Sequence, residues 1–227
     1  SYTEALGILF EANHYGPLRL GAGGNNLKDR SAGTVVRYNW IESGNRQLDL
    51  VDSGHTELLD DPSYRTTLVY GNVLVEPDGA GNSQVVHYGG DSGNEDRYRK
   101  GTLHFYHNTV VSWRTGNTTL LRLSSADESA DVRNTVVHAL AGSGRLAVLA
   151  DAGAVSVHNS WLTAGWRQSH EGSPSGSMTT DGVVDGDDPG LIDLAAHDLR
   201  PGSASPLVGL AGELAGAVSA HPVDQQY

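Results

Sequence analysis

The 227-residue chain contains no cysteine. That excludes disulfides, thiolate metal sites and a cysteine nucleophile, and it leaves the redox compartment open. Basic residues are scarce, 15 Lys and Arg against 27 Asp and Glu, for a formal net charge of −12. Only Lys28 and Lys100 are lysines. This balance argues against nucleic acid as a partner, which needs a continuous basic face. It also disfavours long-range steering of a polyanion, while a local cationic groove stays compatible with it. No apolar run approaches the roughly 20 residues of a membrane-spanning helix. The chain opens at Ser1 without Met and without a basic-then-apolar leader. A processed or trimmed start is expected, and export is left open. Phenylalanine is rare, with 2 against 9 Tyr and 4 Trp. Amphipathic aromatics suit sugar faces and equally suit turn packing.

What is present is a repeat. A β-rich run, an Asn and a second short apolar run recur around Asn13, Asn39, Asn72, Asn108, Asn134 and Asn159, at spacings of 26, 33, 36, 26 and 25 residues. A chain bending between two strands needs one left-handed residue, and Asn tolerates that conformation. Stacked units would bring each Asn about 4.8 Å above the last, so that the amides bond as a ladder. Between the Asn units lies another short strand, as in Leu27-Lys28-Asp29-Arg30, Gln47-Leu48-Asp49-Leu50, Val85-Val86-His87-Tyr88, Leu120-Leu121-Arg122-Leu123 and Leu146-Ala147-Val148-Leu149. Three short strands per repeat without helical periodicity predict stacked coils around an apolar interior. The expected fold is all-β, a right-handed parallel β-helix of roughly six or more coils, a rod on the order of 30 Å long.

The expected organisation is coils over residues 1–166, a Ser/Gly-rich loop over 167–181, and a closing coil with C-terminal tail over 182–227. The closing segment, with Asp187-Asp188-Pro189-Gly190 and Leu199-Arg200-Pro201-Gly202, is expected to cap the open apolar end. Ile8-Leu9-Phe10 is already in register with later units. The first coil is therefore expected to carry preceding coils or a second chain stacked on it, because bare strand edges invite aggregation.

The stretch Asn25-Asn26-Leu27-Lys28-Asp29-Arg30-Ser31-Ala32, followed by Val35 to Glu42, resembles a coil of bacterial right-handed β-helix proteins of the pectate-lyase-like superfamily. The likeness runs through Leu48-Asp49-Leu50, Tyr70-Gly71-Asn72-Val73, His87-Tyr88-Gly89 and Asn108-Thr109-Val110-Val111 to the Asp-Pro and Leu-Arg-Pro-Gly-Ser ending, about residues 5–210. It implies the fold more specifically than any activity. Lys28 also stands where the alginate and chondroitin lyases of this fold carry a catalytic lysine. That resemblance implies calcium as a cofactor, with acidic ligands just upstream, and an arginine on the next coil. Here Gly21-Ala22-Gly23-Gly24 and Asp49-Leu50-Val51 occupy those places.

Alternation in each second strand turns Lys28, Arg30, Asp49, His87 and Arg122 outward as one column once the coils stack. Uronate β-elimination needs a base for the proton α to the carboxylate and a cation to neutralise that carboxylate. Lys28 or His87 fits the base, and Arg30 and Arg122 the neutralisers. Tyr88, His14 and Tyr15 are candidate substrate contacts. A surface ion pair between Lys28 and Asp49 is the plainer reading of those two residues. His104, His107, His138 and His158 read as turn residues. Asp185, Asp187 and Asp188 read as structural turns rather than calcium ligands. A glycoside hydrolase would need clustered carboxylates, for which Asp49, Asp52 and Glu57 are the nearest set. Ser1 as an N-terminal nucleophile is the remotest option. The favoured function is a secreted or periplasmic polysaccharide lyase acting on acidic glycans. The alternatives are a non-catalytic glycan-binding or surface-structural module, or one half of a two-chain enzyme.

Overall fold

The computed structural model describes residues 1–224. The chain visits three parallel sheets in turn, once per coil. The first sheet contains Tyr2–Thr3, Leu27–Asp29, Leu48–Leu50, Gln84–Tyr88, Thr118–Leu123 and Leu146–Leu149. The second runs from Leu6–Glu11 through Ala32–Arg37, Thr66–Tyr70, Thr102–Tyr106, Ser129–Arg133 and Ala154–His158 to Ser177–Asp181. The third runs from His14–Tyr15 through Trp40–Glu42, Val73–Glu76, Thr109–Ser112, Val136–Ala139 and Trp161–Thr163 to Val184–Gly186. Three stacked parallel sheets of six, seven and seven strands are compatible with a parallel β-helix.

Period-2 alternation builds the interior. In the first sheet Leu27, Leu48, Val86, Leu121 and Leu149 stand in register and are fully buried. Phe10, Val36, Val69, Phe105, Val132 and Val157 form the equivalent column of the second sheet. Ile41, Leu74, Val110, Val137 and Leu162 form that of the third. Full burial of each such side chain contributes about 1.5–3 kcal/mol. In the last coil the same register positions carry Thr180 and Asp185, both exposed. The apolar columns thus end in polar residues within the coil itself.

The corner between the second and third sheets differs from the expectation in two ways. The left-handed residue is the one before the ladder position: Ala12, Tyr38, Gly71 and His107, with φ of 53, 56, 66 and 51°. The Asn that follows supplies the ladder. Asn13 Nδ2 donates to Asn39 Oδ1 (3.0 Å), Asn39 Nδ2 to Asn72 Oδ1 (2.9 Å) and Asn72 Nδ2 to Asn108 Oδ1 (3.0 Å). Asn134 and Asn159 sit one residue earlier. They take the left-handed conformation themselves, and Thr135 and Ser160 fill the ladder positions, joined by Thr135 N to Ser160 Oγ at 3.1 Å. A side chain that caps the corner from one place and tolerates its strain from the other explains why both sites select Asn.

The chain after residue 166 also departs from the expected layout. Residues 167 and 168 pair with Leu146–Leu149, and Ser177–Asp181 joins the second sheet, so the stretch expected as a loop is largely another coil. The closing segment runs back along the flank instead of crossing the end. Leu199 packs on Trp40, Val73 and Val75, and His197 stacks on Trp40 at 5.0 Å. Gly212 exchanges hydrogen bonds with the Asn134 amide, and Val218 covers the tyrosines 38, 70 and 106. The physical reason is the aromatic stripe of Tyr38, Tyr70 and Tyr106 on the outside of the stacked coils, which needs cover, whereas at the end Met178 and Val183 of the last coil already pack against the core. The last expected tail residues, 225–227, lie outside the described part.

At the corner from the third sheet back to the first, Glu76 is wholly buried. It accepts from Gln47 Nε2 at 2.6 Å and Arg114 Nη1 at 3.1 Å. Burial outweighs these partners and pushes its carboxyl up to about 7. The folded state therefore binds this proton more tightly than the unfolded chain. Its contribution is fully present below about 4.5 and is lost as pH rises through about 7. Glu76→Gln will flatten that slope, which is of order 1 kcal/mol per pH unit. Urea unfolding at pH 5 and pH 8 checks it, and an unchanged slope would refute the assignment.

Candidate functional site

The outward column of the first sheet is assembled by strand register. Tyr2, Lys28, Asp49, His87 and Arg122 are successive partners across five coils. Asp49 and His87 are nevertheless almost sealed, at 1% and 3% exposure. His87 is covered by the turn that follows its strand, where Gly90 meets Ser124.

Asp49 is the hub. Its Oδ2 accepts from Lys28 Nζ at 2.9 Å and Asn25 Nδ2 at 2.5 Å, and its Oδ1 accepts from His87 Nδ1 at 2.8 Å. Burial alone would raise this carboxyl. The hydrogen bonds and charges of His87 and Lys28 more than offset it and hold the group at about 2. An ionised carboxylate only accepts, so Nδ1 of His87 carries a proton. Burial lowers the His87 pKa below the ordinary 6.5 against the pull of Asp49, and the charges of Arg46 and Arg122 lower it further. The imidazole is neutral at pH 7, with its lone pair on Nε2. That nitrogen accepts from Ser124 Oγ at 2.8 Å. Ser124 Oγ in turn accepts from Gly90 N at 2.9 Å, and the Gly90 carbonyl lies 2.9 Å away.

Lys28 cannot serve as the base. Burial lowers its pKa, but the carboxylates of Asp49 and Asp91 win and raise it, so it stays an ammonium. Arg30 is neutralised by carboxylates as well. It pairs with Asp91 at 2.7 Å and Asp52 at 3.6 Å, and donates to the Asp52 carbonyl. Arg122 is different: it is exposed and has no hydrogen-bond or ion-pair partner among the described residues. It lines a cavity of about 440 Å³ together with Ser124, Gln84, Asp151, Glu171 and Ser173. Arg46 backs the column, donating to Gln84 Oε1 at 3.1 Å and lying 4.0 Å from Asp49 Oδ1.

Three expected contacts do not reach this face. Tyr88 alternates inward and is wholly buried in the core, under the Arg99 guanidinium. His14 and Tyr15 belong to the third sheet, where they pair with Trp40 and Ile41, and Tyr15 packs against the core. A strand at the coil's other side cannot flank a groove on the first sheet. His104 and His158 lie on the second sheet, His138 on the third and His107 at the corner between them. Of the carboxylate set, Asp49 and Asp52 are buried in hydrogen bonds, and Glu57 stands exposed on the short helix Thr56–Leu59. The calcium implied by the lyase resemblance does not fit. The stretch upstream of Lys28 offers no carboxylate, and among the described residues no group of three His, Cys, Asp or Glu is arranged to hold a metal ion. Asp188 instead accepts from Gly190 N within its own turn.

Sequence reasoning missed Asp91, Arg46 and Ser124. Ser124 was within reach: it lies two residues beyond Arg122, so the same alternation turns it to the same face. Asp91 sits in a Gly- and Ser-rich loop, whose path no periodicity reveals. No family model, no curated protein and no solved structure matches the chain.

Proposed function

We propose that the chain is a right-handed parallel β-helix of the pectate-lyase-like kind and a secreted or periplasmic polysaccharide-processing protein that cleaves acidic glycans by β-elimination. The observation that carries this reading is a neutral His87, oriented by Asp49, in one column with Arg122, which has no partner among the described residues. Arg122, backed by Arg46, neutralises the uronate carboxylate and so acidifies the proton α to it. His87 Nε2 removes that proton through the Ser124 hydroxyl, which bridges the sealed imidazole to the cavity and passes its own proton to Nε2. The electron pair forms the ring double bond and expels the glycosidic oxygen, which takes the proton from the imidazolium. Lys28 and Arg30 brace the column through Asp49, Asp52 and Asp91.

The test is the ultraviolet absorbance of unsaturated uronate during incubation with alginate, pectate and chondroitin. A rise that Arg122→Ala lowers by at least about tenfold is expected, the scale of one lost charged contact. No rise on any acidic glycan would refute elimination. A second reading, a non-catalytic glycan-binding module, is favoured by the neutralisation of Lys28 and Arg30 by carboxylates. Glycan retention without turnover would support it.

A further inference from the structure

We propose that Ser124 is a nucleophile and that Asp49, His87 and Ser124 form a relay for hydrolysing ester substituents, such as O-acyl groups, on a carbohydrate chain. This goes beyond the elimination reading, since it requires no uronate. Three successive coils each contribute one member, and the two links are 2.8 Å each: Asp49 Oδ1 to His87 Nδ1, and His87 Nε2 to Ser124 Oγ. The order of roles is that of an activated serine: a buried carboxylate, an imidazole oriented by it, and a hydroxyl at the solvent end. Asp49 and His87 are sealed, whereas Ser124 is partly exposed and opens on the 440 Å³ cavity.

The surroundings fit acyl chemistry. Gly90 N–H lies 2.9 Å from Ser124 Oγ, and Arg122 lines the same cavity. In this proposal they are the donors that a developing oxyanion would use. Gly89, at φ 130°, brings the turn this close because it has no side chain. A Cβ there would stand 2.6 Å from Ser124 Oγ. The polar cavity, with Gln84, Asp151, Glu171 and Ser173, suits a short acyl group on a polyhydroxylated carrier rather than a long apolar ester.

The step balances with water as the only co-reactant. Ser124 Oγ attacks the ester carbonyl carbon as its proton passes to His87 Nε2, and the carbonyl π pair moves onto oxygen. Collapse reforms the carbonyl and breaks the bond to the sugar oxygen, which takes the proton from Nε2. Water repeats the sequence on acyl-Ser124 and releases the carboxylic acid and the free hydroxyl.

The experiment treats the whole chain with an alkyl fluorophosphonate, maps the adduct by mass spectrometry, and follows p-nitrophenyl acetate hydrolysis in parallel. One adduct on Ser124 is expected. Its rate of formation should fall at least about a hundredfold in His87→Ala, and ester turnover should fall equally in Ser124→Ala, with circular dichroism confirming that both variants fold. Absence of an adduct, an adduct elsewhere, or a Ser124 adduct whose rate ignores His87 would overturn the proposal. A plain cross-coil hydrogen bond predicts the first or the last of these results. The outcome is independent of the uronate assay, because neither probe contains a carboxylate.

Discussion

On the proposed elimination, replacing His87 by alanine will lower turnover by about two to four orders of magnitude, the range of a lost general base. The size follows from the absence of a substitute. Lys28 is held as an ammonium between Asp49 and Asp91, and a guanidinium such as that of Arg30 or Arg122 offers donors and no acceptor. Among the described residues of the outward column, His87 is the group with a base of suitable strength at neutral pH, because the Asp49 carboxylate, held at about 2, is too weak a base and is engaged by Lys28, Asn25 and His87. Asp49→Asn should come close to the same loss, because an amide in place of the carboxylate lets the imidazole place its proton on Nε2 instead of Nδ1. The pH profile reports the same group. Burial lowers the His87 pKa below 6.5, so activity persists as pH falls past 6.5 and disappears only beneath the lowered value. Stability carries the matching sign. The unfolded chain takes up the proton first, so this residue's contribution is complete above 6.5 and declines as pH falls below it. An acid limb at or above 6.5, or a His87→Ala variant with full turnover, would show that the imidazole is not the base.

Replacing Asn72 by alanine will destabilise the fold by about 3–5 kcal/mol, among the largest effects of any single truncation in the chain. Asn72 is wholly buried at the centre of the ladder. Its Oδ1 accepts from the backbone and side-chain nitrogens of Asn39, both at 2.9 Å. Its Nδ2 donates to Asn108 Oδ1 and to the carbonyls of Val36 and Tyr70. Alanine leaves these groups without partners in a space that the neighbouring coils seal from water. Asn134→Ala makes the contrast. Asn134 is only half-buried, at a left-handed corner, and bonds to His107 and Gly212. Its loss should amount to about 1 kcal/mol. Denaturant unfolding of the two variants side by side checks the pair. Equal losses would mean that the ladder contributes no more than an ordinary corner.

Lys28, Asp49, His87 and Arg122 were legible from the residues alone, because alternation sets which side a residue faces and equal coils set which residues stack. The interior columns followed for the same reason. The αL position was legible only as a need, since any of two adjacent residues can meet it, and Tyr38 or His107 does so as well as Asn134. The protonation state of Lys28 was not legible. It depends on Asp91, 63 residues away and in an irregular loop. Ser124 gained meaning only once the register set it above the turn after His87. The path of the closing segment was equally hidden, because the stripe formed by Tyr38, Tyr70 and Tyr106 exists only after three coils stack. Sequence by itself determined the repeat and four members of the outward column, Lys28, Asp49, His87 and Arg122, since these obey a period of two. Tertiary structure decided which charges are neutralised, which nitrogen keeps its lone pair and what covers the flank, because these depend on loops and distant coils that meet only when the chain is stacked.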